Sequence, residues 1–131
     1  MMNIPLLSVL AVSAGAAIGA CCRWFFSVML NHYLPNLPLG TLFVNALGGL
    51  FAGIVLALVG FGWFESQYLR LFVNTGFLGG LTTFSTFTVE SLTLFHKHEY
   101  FWAILHTSSH VVSALFFAAA GYAMIQLFFQ Q

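Results

Sequence analysis

Three glycines within five residues, followed by four hydroxyls interleaved with two aromatic rings, make Gly76-Phe77-Leu78-Gly79-Gly80-Leu81-Thr82-Thr83-Phe84-Ser85-Thr86-Phe87 the chemically densest stretch of the chain. Glycines at that density can break a helix inside a bilayer, and the carbonyls so freed must find hydrogen donors or a cation. The carbonyl oxygens of Gly79 and Thr82, doubled by a symmetry mate, would give four hard ligands suited to a small monovalent cation held structurally. Composition alone does not choose between this break and close glycine packing in an unbroken helix.

Phe84 and Phe87 are three apart and share a helical face, with Thr83 and Ser85 beside them. Most aromatic pairs at that spacing pack in a core or face lipid. Inside a polar stretch, however, the positive ring edge can line an anion path without a full charge that would trap the ion. Asn45, the lone amide of its apolar run, offers two N–H donors, or else one interhelical hydrogen bond worth about 0.6 to 2 kcal/mol. His106 and His110 stand at i and i+4 on a face shared with Ser113. That spacing could bind zinc, but no Glu lies between them as in a metalloprotease and no third ligand is evident. Hydrogen bonding along a pore or between helices fits them better. Arg23 could snorkel to headgroups or draw anions to a vestibule, and Glu90 suits a structural pairing or a vestibule. Cys21 and Cys22 are adjacent, so a disulfide between them would be strained, and they read as small buried residues.

The elements that must position these groups follow from the charge distribution. Of 131 residues, 60% are hydrophobic and 5% charged, with a mean hydropathy of +0.96. A soluble domain is about one quarter charged, so the chain is an integral membrane protein. The six charges, Arg23, Glu65, Arg70, Glu90, Lys97 and Glu99, leave residues 1–22, 24–64, 71–89 and 100–131 charge-free. The apolar pattern and its interruptions predict one all-α domain over residues 1–131, with four transmembrane helices at about 4–30, 39–60, 68–95 and 101–129, and the glycine motif makes the third the one expected to break near mid-membrane. No basic patch exists for nucleic acid, and nothing is left over for an extramembrane catalytic domain, so an enzyme is not expected. Arg70 falls on the side of the termini and Lys97 on the other, a tie under the positive-inside rule that allows a dual-topology dimer. Gly15 with Gly19, and Gly49 with Gly53, suit close helix packing within the bundle or between subunits.

Gly19-Ala20-Cys21-Cys22-Arg23, Gly40-Thr41-Leu42-Phe43-Val44-Asn45 and the Gly76 to Phe87 motif with Glu90 together resemble the CrcB/Fluc fluoride channels, nearly end to end and in motif order. The resemblance implies a dual-topology homodimer in the cytoplasmic (inner) membrane, with two fluoride pores and a structural sodium ion at the dimer interface. It further implies sodium ligation by the Gly79 and Thr82 carbonyls, aromatic fluoride contacts from Phe84 and Phe87, a donor amide from Asn45, polar contacts from Ser85 and Thr86, and Arg23 toward the entrance. His106, His110 and Ser113 stand where members of that family tend to carry other polar or small residues. Fluoride and the lipid bilayer are the expected partners, besides the chain itself. Two rivals remain. A proton-coupled small multidrug exporter would place an acid in the first helix, where this chain has Arg23. A non-transporting scaffold would explain the glycine faces but not the donors beside Phe84 and Phe87.

Overall fold

The computed structural model describes residues 5–129. Ile4, where the first span was expected to begin, lies outside them. Among the described residues there is no β-strand, and three helices are long and apolar enough to cross a membrane: α1 (Leu6–Leu30), α2 (Leu39–Gly60) and α6 (Tyr100–Phe129). The third expected span is not one regular helix. It runs as α3 (Gln67–Arg70), a π-helical stretch (Leu71–Leu78), α4 (Gly79–Leu81), two extended residues, and α5 (Phe84–His96). Thr82 (φ −80°, ψ 158°) and Thr83 (φ −147°, ψ 115°) are the extended pair.

Loop chemistry sets the direction of each element. After α1 the side chain of Asn31 turns back, its Oδ1 accepting from the N–H groups of Gly40 (2.8 Å) and Thr41 (3.2 Å). Two donors at the start of α2 that no helical carbonyl can serve are thereby satisfied. Asn36 in that loop donates to Glu99 Oε2 at 2.8 Å, which joins the α1–α2 and α5–α6 turns at one end of the bundle. At the other end Phe61 packs tilted against Phe129 and Trp63 meets it edge-on, with centroids 5.1 and 5.5 Å away. Residues 67–96 therefore travel from one end of the bundle to the other.

Small residues decide how closely these elements approach. A Cβ added at Gly49 or Gly53 would collide with the carbonyls of Ala114 and Ala118, and one at Gly121 with that of Leu50, so α2 and α6 meet backbone to backbone. Gly15 and Gly19 of α1 likewise meet the carbonyls of Phe72 and Phe77, while Gly76 and Gly80 meet those of Val12 and Ala16. Both spaced glycine pairs are thus used within the chain. Outward faces carry exposed Phe101, Leu115, Phe116 and Leu127, as a surface solvated by lipid should. The chain is a multi-pass, all-helical membrane protein.

Candidate functional site

The break at Thr82 and Thr83 is held by a specific set of hydrogen bonds. Thr83 N–H donates to Asn45 Oδ1 (2.7 Å), and Asn45 Nδ2 donates back to Thr83 O (3.1 Å). This two-point match fixes which way the amide faces. Thr83 also caps α5, its hydroxyl accepting from Thr86 N–H (3.2 Å) and donating to Thr86 Oγ1 (2.9 Å). In a continuous helix those two N–H groups would serve the carbonyls of Gly79 and Thr82, four residues earlier. Both donors are diverted, which frees the two carbonyls that the sequence singles out.

From Asn45 the polar line continues into α6. The second Asn45 Nδ2 hydrogen points at His110 Nδ1, 3.1 Å away. Because Nδ1 accepts, the neutral ring carries its proton on Nε2. That Nε2 is buried and has no partner among the described residues. The side chain that sequence reasoning offered as an anion donor, Asn45, has both N–H groups occupied, whereas His110 holds a free one. Phe87 packs against both imidazoles, nearly parallel to His106 (5.5 Å, 11°) and tilted on His110 (4.9 Å, 43°). Phe84 lies 5.5 Å from Phe87 and is 80% exposed.

A second set of contacts extends toward the Asn31 end. Asn31 Nδ2 donates to Thr41 Oγ1 (3.4 Å), Thr41 Oγ1 donates to Glu90 Oε1 (2.7 Å), and His106 Nε2 meets Glu90 Oε2 at 3.1 Å. His106 Nδ1 lies 3.0 Å from Ser91 Oγ, which also contacts Thr107 Oγ1 at 3.2 Å. Of the five buried polar residues described, Thr41, Thr83, His106 and His110 lie on this line, Ser8 being the fifth. Thr41, Glu90 and Ser91 are members that sequence reasoning did not join to the histidines, and Glu90 supplies the third metal-ligand type it did not find. Spacing carried the signal: Thr41 and Asn45, His106 and His110, and Thr83, Phe87 and Glu90 each repeat at helical intervals.

The remaining sequence candidates have partners of their own. Arg23 Nε donates to Gly80 O at 3.0 Å, pinning α1 to α4. Ser113 Oγ turns back to His110 O (3.3 Å), and Ser85 is exposed with Oγ 3.4 Å from Thr83 Oγ1. An open groove of about 900 Å³ runs along the break, lined in part by Asn45, Gly79, Thr82, Phe84, Phe87 and His110.

Residues 10–122 match the family described as CrcB-like protein, Camphor Resistance (CrcB). The chain belongs to the CrcB family. Its relatives include a "Fluoride-specific ion channel FluC" of Aromatoleum aromaticum, 47% identical over 92% of this chain and 91% of that one. Proteins of the same name from Cupriavidus pinatubonensis (47% identical; 88% and 91% covered) and Erwinia tasmaniensis (40%; 92% and 96%) are also similar. The CrcB match runs from α1 into α6 and takes in every residue of the polar line.

Proposed function

We propose that this CrcB chain is a fluoride-selective channel that lets fluoride leave the cell passively across the cytoplasmic membrane. One observation carries the reading: a line of polar side chains and aromatic rings from Asn31 to the Thr83 break, along which the buried Nε2–H of His110 has no partner among the described residues. The names of its relatives agree. Fluoride is small and strongly hydrated, so a path must replace its water with donors yet release the ion. His110 Nε2–H and the edges of Phe84 and Phe87 supply such contacts, and Asn45 holds them in place. Ser85, Thr86 and Ser113 contribute hydroxyls near the path, and Arg23 raises the local anion concentration by its charge. An interior-negative potential favours anion exit by about 2.3 kcal/mol per 100 mV, so no energy source is required.

The finer architecture belongs to the same reading. Residues 67–96 form a third, broken membrane span, giving four crossings, and two chains pair in opposite orientations. Gly79 supports the pairing: it has ordinary helical torsions (φ −64°), and a Cβ there would meet only Asn74 O, 3.9 Å away. Nothing among the described residues requires a glycine at that point, but a second backbone approaching it would. The freed carbonyls of Gly79 and Thr82 fit a hard monovalent cation, and these residues would hold a structural sodium ion shared with the second copy. That ion would supply positive charge to offset clustered carbonyl dipoles at the interface.

Fluoride efflux from proteoliposomes, followed with a fluoride electrode and valinomycin to dissipate the potential, tests the function. Rapid fluoride release with little chloride release is the expected result. No release from dimeric, correctly reconstituted protein would overturn it, and flux dependent on a proton gradient would favour an exporter.

A further inference from the structure

We propose that Glu90, His106 and His110 form a binding site for a divalent transition metal ion of the zinc class, placed so that the bound ion closes the fluoride path. The donor atoms of these three residues, one per residue, lie within 4.8 Å of one another. Three features make the cluster a built site. His106 is fully buried, His110 is 4% exposed, and His110 Nε2 has no partner among the described residues. The His106 to Glu90 contact, at 3.1 Å, is already close to the roughly 3.3 Å that separates two ligands of a tetrahedral ion with bonds of about 2.0 Å. Only His110 must move inward, by a change in side-chain torsion.

Donor chemistry selects the ion. Two imidazoles and one carboxylate suit zinc, cobalt, nickel or copper, whereas sodium, magnesium and calcium prefer all-oxygen sites. Three protein ligands leave a fourth position for water or an anion. The surroundings accommodate the proton shifts that ligation requires. When His106 Nε2 takes the metal, its proton moves to Nδ1, and the Ser91 hydroxyl rotates from donating to accepting; Thr41 continues to hold the other carboxylate oxygen. At His110 the same shift places a hydrogen on Nδ1 against the N–H of Asn45, so that bond is given up. Metal binding therefore removes the free Nε2–H from the path and releases α6 from the amide that pins the Thr83 break.

The site lies about seven residues into α6, roughly 10 Å from the bundle end formed by the α1–α2 and α5–α6 turns, and a metal enters from that end. The closing effect rests on the proposed function, but binding itself does not. Titrating the purified protein in detergent with Co²⁺ should give the visible d–d absorption of a tetrahedral ion, displaced by Zn²⁺. His106→Gln and His110→Gln should each weaken Zn²⁺ binding by roughly tenfold or more in calorimetry. A protein with His32, His96 and His98, all in or beside loops, changed to Gln should bind as the unaltered chain does. Absence of the tetrahedral spectrum in the unaltered protein overturns the site whatever the variants do, as does unweakened binding by His110→Gln. In proteoliposomes, Zn²⁺ should slow fluoride efflux and EDTA should restore it. Binding without slowing overturns the placement in the path. A protein that binds Co²⁺ but never passes fluoride would instead overturn the proposed function and leave the metal site standing.

Discussion

Asn45 makes three hydrogen bonds from one amide: it accepts from Thr83 N–H and donates to Thr83 O and to His110 Nδ1. In Asn45→Asp the first survives, but an oxygen then faces the Thr83 carbonyl and the His110 lone pair. An acceptor opposed to acceptors in a buried setting costs about 1–3 kcal/mol, and His110 responds by moving its proton to Nδ1. The Nε2–H is lost, so fluoride efflux should fall to the background of empty vesicles while dimers persist in crosslinking. Normal efflux from Asn45→Asp would remove the amide and His110 from the mechanism. Phe84 is the opposite case, being mostly exposed. Phe84→Ile should change the thermal midpoint little, within about 0.5 kcal/mol, yet suppress fluoride release. Asn45 was legible in the sequence because one amide in an apolar run requires a partner. The pairing of Glu90 with His106 was not, because those residues lie on different helices and only the approach of α5 to α6 joins them.

At the scale of elements, α2 and α6 follow from charge-free runs, α1 follows from an apolar run that carries Arg23, and the structure ends α2 at the residues where glycine and polar clusters end the pattern. The π-helical stretch had no such signature. A change of hydrogen-bond register alters no hydropathy, and the apolar pattern of Leu71–Leu78 is compatible with either helix type. Whether the spaced glycines face the bundle or a second subunit was also illegible, since either partner demands the same small residues. The structure places Gly19 against Phe77 O and Gly53 against Ala118 O, both backbone atoms that cannot swing aside. Gly19→Ala and Gly53→Ala should therefore each destabilise the protein by about 1–3 kcal/mol, read as a lower unfolding midpoint in detergent. Gly60, with open space around it, is the control: Gly60→Ala should leave the midpoint unchanged or slightly raised. Equal stability of all three variants would mean that the helices do not approach as closely as described.

For the whole molecule the open question is how one chain of this size encloses an ion path, since the groove beside the break is open along its length. A second copy is the proposed cover, and Gly79 reports on it. Gly79→Ala adds a methyl that meets nothing closer than 3.9 Å in its own chain, so the fold should survive while dimer crosslinking and fluoride efflux both drop. Orientation gives a sharper test. On the proposed dual-topology reading, Arg70 near one end and Lys97 near the other balance insertion, and antiparallel pairing needs both orientations in one membrane. Glu65 and Leu34 are exposed, at the terminal end and in the α1–α2 turn respectively. Glu65→Lys biases the terminal end toward the cytoplasm and Leu34→Lys biases it outward. Each variant expressed alone should confer weak fluoride resistance, because its chains insert largely one way and lack antiparallel partners. Expressed together they should restore resistance, since each supplies the orientation the other lacks. Full resistance from either variant alone, in cells where cysteine labelling shows a single orientation, would mean that the working unit does not require opposed chains.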